Sequence, residues 1–333
     1  MTTAQEILAD IERRLTGDRD FDVAFLQDKS DYYYGQEDGQ QIVLGIMRMM
    51  LPLVDEAQRE EGERLLFIAE HSLQEDLRIV THLYEAGQLS EAKAWLDALV
   101  ENIEDRDFMD EDLVVYRSFE NMLEHALYVI GMETDVQIKN PLGNVHEVYR
   151  MHGLVLDAVG DHRLAGQSFR KAIHWNPVHG KTWLDYAAHL RNLGKLEKAL
   201  DAARRGYQYA LGKEDLMRAC KEAAYYYKRK NQLPEALLYF SASQSLQMAN
   251  DLKEAGVKEL DESQKDKVFV KTGIGDKANP DVLATAKEIG RICLESGDYE
   301  NAVDLLALVD DLEPSVENES LLMEAREKAM AMP

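Results

Sequence analysis

The feature that most restricts what this chain can fold into is a set of small and large residues that recurs at fixed offsets, its two clearest copies 34 residues apart. In residues 146–177, Tyr149, Gly153, Leu156, Gly160, Ala165, Phe169, Ala172 and Pro177 fall at fixed offsets. Starting at Gly180, Trp183, Ala187, Leu190, Gly194 and Ala199 repeat those offsets. A third copy near Met217 carries Cys220, Ala224, Tyr227, Asn231, Ala236 and Phe240. An upstream copy near Leu73 has Val80, Leu83, Gly87, Ala92, Leu96 and Leu99, and a C-terminal copy near Leu283 has Gly290, Cys293, Gly297, Ala302, Leu306 and Pro314. A period of this length belongs to helical hairpins that bury their apolar faces only by stacking on one another. Composition agrees: hydrophobic residues make up 45% and only 7 prolines interrupt a chain rich in helix-forming residues.

The pattern has a physical reading. Small residues at Gly153, Ala187, Ala224 and Gly290 let the first helix of a hairpin approach the second, and alanines 92, 165, 199, 236 and 302 return the contact. The turn glycines, and Asn231, stand where a helix ends in a left-handed residue. Pro234 fits the first turn of a second helix, where its missing N–H is harmless. These positions resemble the tetratricopeptide repeat. The resemblance is good over 144–250, fair over 73–106 and 283–316, and poor elsewhere. It implies an all-α fold, a right-handed superhelix of antiparallel hairpins whose first helices line a concave, partner-binding surface.

Four segments follow: atypical helices over 1–72, degenerate repeats over 73–143, the repeat core over 144–250, and a loop, a last repeat and a capping helix over 251–333. Outside the core, Thr3 and Glu6 form a capping-box pattern. Residues 111–131 predict one long amphipathic helix before the turn-rich Met132–Asp135 and Asn140-Pro141-Leu142-Gly143. Residues 264–280 read as an extended loop, with Asn279-Pro280 capping the next helix and 315–329 closing the chain.

Charge narrows the function classes. The net charge of -24 disfavours binding to nucleic acid or to an anionic membrane. Residues 161–230, however, carry 15 Lys+Arg against 7 Asp+Glu, so a +8 middle lies inside an acidic chain. Cys220 and Cys293 read as buried free thiols, the N-terminus does not read as a signal peptide, and Ile42–Val54 is too short to span a bilayer. A cytoplasmic location is expected. Gly180-Lys181-Thr182 lacks the preceding glycine of a phosphate loop, Trp175 standing there. Gly273-Ile274-Gly275 fails as a dinucleotide fingerprint and reads as a mobile loop. The nine histidines show no i, i+4 metal pair. No catalytic residue, metal or cofactor is expected, and no enzyme.

The remaining signal is a surface. In the family, first-helix residues at i, i+3, i+7 and i+10 face the concave side. Here these are Glu147, Arg150, Leu154 and Asp157; Lys181, Leu184, Ala188 and Arg191, with Asn192 beside them; and Arg218, Lys221, Tyr225 and Lys228, with Arg229. The candidate partner-binding set is therefore Arg150, Lys181, Arg191, Asn192, Arg218, Lys221, Tyr225 and Lys228, a cationic face suited to an acidic peptide, a carboxylate or a phosphate. The chaperone-tail clamp of the family does not transfer, because its asparagine position holds Leu154, Ala188 and Tyr225. Of the Tyr225–Tyr227 run, Tyr227 is expected in the core and Tyr226 against a neighbour, while Tyr32–Tyr34 are unassigned. A protein or peptide partner is expected, and the acidic N-terminal region, or that of a second copy, is another candidate occupant. A ligand-sensing regulator and a self-associating structural protein are the alternatives, and homo-oligomers are compatible with both.

Overall fold

The computed structural model describes residues 4–33, 39–56, 58, 59, 62, 73–106, 108–131, 136–140 and 143–330. Thr3, Tyr34, Met132–Asp135, Pro141 and Leu142 lie outside the described residues. The chain divides into two compact units, Met1–Asp105 and Arg106–Pro333. Among the described residues no helix is long and apolar enough to cross a membrane.

The first unit begins with α1 (Ala4–Arg13), α2 (Arg19–Tyr33) and α3 (Gly39–Met50). Ile11, Leu26, Ile42 and Ile46 form the buried centre of these three helices. The Asp22 carboxylate accepts the backbone N–H groups of Thr16 and Gly17, both at 2.8 Å, and so ties the α1–α2 turn to α2. The hairpin of α4 (Leu73–Glu85) and α5 (Leu89–Glu104) follows, turning at Gly87 with φ 74°.

In the second unit, three hairpins carry the recurrence. They pair α7 (Val145–Ala158) with α8 (His162–Trp175), α9 (Gly180–Asn192) with α10 (Leu196–Gln208), and α11 (Lys213–Arg229) with α12 (Leu233–Ala242). Each turn ends on a left-handed residue: Gly160 (φ 90°), Gly194 (φ 71°) and Asn231 (φ 57°). A β-carbon on Gly153 would meet the Phe169 ring at 2.8 Å, closer than packed carbons approach, so the α7–α8 spacing is set by the missing side chain. Tyr227, Tyr239 and Phe240 are buried with Leu184, Ala187, Leu190 and Leu237 in one continuous core through the second and third hairpins. Consecutive hairpins pack, α8 against α9 and α10 against α11, and the first helices α7, α9 and α11 are neighbours.

Two segments depart from the sequence expectation. Residues 111–131 are not one helix. Val114–Tyr116 form β1, which pairs in parallel with β2 (Gln137–Lys139), and only α6 (Met122–Ile130) is helical. The β-branched pair Val114-Val115 suits a strand, and Asn121 starts α6 by accepting the Glu124 N–H at 3.0 Å. Residues 264–280 are not a loop throughout, because α14 (Glu262–Thr272) runs from an Asp261–Gln264 capping box to Gly273 at φ 69°.

Nor does the Gly273-Ile274-Gly275 stretch hang free. Ile274 is fully buried, its carbonyl accepts from Tyr239 Oη at 2.7 Å, and Lys277 O accepts from Tyr207 Oη at 2.8 Å. Asn279 caps the next helix as expected, its Oδ1 accepting the Asp281 N–H at 3.1 Å, while its Nδ2 donates to Gln208 O at 2.9 Å. Both cysteines are buried and free, and burial pushes the Cys220 thiol up to about 12.

Between α12 and α14 lies α13 (Leu246–Glu254), packed on α12. The C-terminal hairpin, α15 (Pro280–Ser296) and α16 (Tyr299–Leu312), is closed by α17 (Val316–Met330). It does not lie where sequence order suggests. Leu123 of α6 is buried with Ala286, Cys293 and Leu306, and Leu283 and Leu312 cover Ala210 and Leu216 at the α10–α11 turn. Lys213 reaches Asp311 at 2.6 Å on the same side.

Gly153→Ala tests the close approach. Forcing a methyl group against the Phe169 ring is expected to cost about 1–3 kcal/mol, read as a lower midpoint in thermal or urea unfolding. An unchanged midpoint would show that the α7–α8 spacing is not set at this position.

Candidate interaction surface and an adjoining polar cluster

The first helices α7, α9 and α11 are laced together by charge. Asp185 on α9 accepts from Arg150 Nη1 of α7 at 2.6 Å and from Arg218 Nη2 of α11. Arg150 also engages both Glu147 oxygens, at 2.6 and 2.7 Å. One turn further along, Arg191 Nε donates to Glu222 Oε2 at 2.7 Å, and its guanidinium lies 4.5 Å from the Tyr225 ring centroid. The carboxylates are the buried partners, with side-chain exposures of 9% for Asp185 and 8% for Glu222. Burial opposes the Arg150 charge, but Glu147 and Asp185 outweigh it and hold the guanidinium protonated above its usual range. Burial raises the Glu222 carboxyl, against the pull of Arg191.

Arg150, Arg191, Arg218 and Tyr225 thus share one surface, yet the arginines are not bare cations. Lys181, Asn192, Lys221 and Lys228 are exposed on the same helices. Among the described residues these lysines form no ion pair within 4.0 Å, and Lys228 Nζ sits 5.8 Å from the Phe240 ring centroid. Leu184 does not belong to the face, because at 1% exposure it is in the core against Gly206. Tyr226 does meet a neighbour, its Oη donating to Glu197 at 3.0 Å.

The offsets i, i+3, i+7 and i+10 skip i+4. On a helix that position shares the face, and Asp185 and Glu222 are i+4 from Lys181 and Arg218.

A second group of polar side chains gathers where α6, α7 and α9 begin. His146 and His179 lie with ring centroids 4.7 Å apart. His146 Nδ1 is 2.9 Å from Ser118 Oγ, and His179 Nδ1 is 2.7 Å from Thr182 Oγ1. His179 Nε2 stands 3.4 Å from Glu120 Oε2. Glu124 Oε2 accepts from Asn176 Nδ2 and from the Glu120 backbone N–H, both at 2.7 Å. Glu124 Oε1 and Asn176 Oδ1 are buried without a hydrogen-bond partner. Burial, reinforced by His179, pushes His146 down to about 3, and the contact with His179 takes Glu120 down to about 2. Burial raises Glu124.

A third group is self-satisfied: Asp157 Oδ1 lies 2.6 Å from His162 Nδ1 and 2.9 Å from His189 Nδ1.

No protein-family model matches the chain, and no curated protein matches it. The surface itself generates a stability test. Asp185→Ala leaves two guanidinium groups short of a buried partner and is expected to cost on the order of 3 kcal/mol in urea unfolding. Arg218→Met, at a partly exposed site, is expected to cost clearly less; equal losses would contradict Asp185 as the hub.

Proposed function

We propose that residues 145–242 are tetratricopeptide-like hairpins in a right-handed superhelix, and that the chain is a non-catalytic binding protein. Its first-helix face takes an extended acidic or carboxylate-bearing segment of a partner protein. The observation that carries this reading is the division of labour among the cations of that face. Arg150, Arg191 and Arg218 are fixed by buried carboxylates, while Lys181, Lys221 and Lys228 are exposed without an ion-pair partner among the described residues. Fixed arginines give a rigid platform, so little side-chain entropy is lost when a peptide lies down on it. Exposed lysines are the charges left to meet a partner's carboxylates, with a gain that salt screens. Tyr225, stacked under Arg191, adds an apolar patch beside them.

A labelled Asp/Glu-rich peptide and its Asn/Gln counterpart, titrated by fluorescence anisotropy at low and high salt, test the proposal. The acidic peptide is expected to bind, the neutral one not, and the double reversal Lys221→Glu with Lys228→Glu to weaken binding about tenfold or more, roughly 1.4 kcal/mol, with an unchanged melting midpoint. Equal binding by the reversed protein, or by the neutral peptide, would overturn it.

A further inference from the structure

We propose that the polar cluster at the start of α6, α7 and α9 is a binding site for a divalent transition-metal ion, with zinc the best match, held by His179, Glu120 and Glu124 with His146 alongside. This goes beyond the peptide-binding reading and does not depend on it. The starting point is the orphaned oxygen of Glu124. A fully buried carboxylate whose Oε2 accepts two hydrogen bonds leaves Oε1 facing no donor. Such an atom is costly unless a proton or a cation meets it. Three ligand atoms of His179, Glu120 and Glu124 lie within 4.8 Å of one another, as do those of His146, Glu147 and His179. His179 belongs to both groups.

One ligand-to-ligand spacing in the cluster suits a metal ion. Tetrahedral zinc bonds of about 2.0–2.1 Å hold ligand atoms about 3.3–3.4 Å apart. The His179 Nε2 to Glu120 Oε2 separation is 3.4 Å. In the Asp157–His162–His189 group the corresponding atoms stand at 2.6 and 2.9 Å, which is hydrogen-bond spacing. The rings are also oriented as ligating imidazoles are, with one nitrogen fixed by an oxygen so that the other presents its lone pair. Ser118 Oγ sits at His146 Nδ1 and Thr182 Oγ1 at His179 Nδ1, so Nε2 is the remaining nitrogen of each ring, and that of His179 stands 3.4 Å from Glu120 Oε2. Two imidazoles with carboxylates are a donor set for zinc and its neighbours rather than for magnesium or calcium. Glu120 is half-exposed, which gives an ion a way in.

The test uses the untagged full-length chain, stripped with a chelator and titrated with zinc by calorimetry, with metal content read by mass spectrometry and cobalt as a spectroscopic substitute. One equivalent is expected to bind, to raise the melting midpoint, and to give cobalt the strong visible absorption of tetrahedral coordination. His179→Ala is expected to abolish uptake. Glu120→Gln, at the exposed rim where folding is not at stake, is expected to weaken it at least tenfold, whereas His162→Ala leaves it intact. The proposal fails if the stripped protein takes up no stoichiometric zinc, if Glu120→Gln binds like the wild type, or if His162→Ala removes the ion. It also fails if Glu124→Gln stabilises the protein and zinc leaves the midpoint unmoved, because Oε1 then holds a proton.

Discussion

The close approach of two helices across a residue without a side chain is the contact on which the second unit depends. Where Gly153 faces the Phe169 ring, nothing larger fits. The same economy recurs at Gly206 against Leu184, and at Ala187 and Ala224, which are fully buried. With each hairpin closed this tightly, its large residues are pushed outward between hairpins, and the next hairpin must cover them. Stacking then places α7, α9 and α11 side by side, and only in that order can Asp185 meet arginines from both neighbours.

A repeat period is also a contact rule. Residues about one period apart become neighbours on successive hairpins. Arg150 pairs with Asp185 at a separation of 35, Asp185 with Arg218 at 33, His189 with Asp157 at 32, and Arg191 with Glu222 at 31. His146 and His179, at the starts of successive first helices, obey the same rule. The ion pairs therefore fix register between hairpins as much as they add stability, since a buried pair largely repays its own desolvation.

That rule separates what was legible in the sequence from what was not. The hairpins, their left-handed ends at Gly160, Gly194 and Asn231, and the shared surface of Arg150, Arg191, Arg218 and Tyr225 follow from local spacing. The partners of those arginines needed a comparison across repeats, which offsets within one helix cannot supply. The histidine cluster was hidden for the same reason, and further because Glu120, Glu124 and Ser118 come from a segment outside the repeat core. The apolar run of that segment fits a helix as well as a strand, while Asn121 with Glu124 marks the helix start. Asp261 with Gln264 marked another, ahead of α14. The position of the C-terminal hairpin, against α6 and the α10–α11 turn, is a tertiary outcome with no local signature.

The central claim is that the exposed lysines of the first-helix face receive the partner. Lysine-acetylation footprinting by mass spectrometry, with and without a saturating acidic peptide, tests it most directly. The expected result is joint protection of Lys181, Lys221 and Lys228, with the exposed Lys258 and Lys267 modified as before. Protection that spares these three lysines, or that falls evenly over all exposed lysines, would contradict the account.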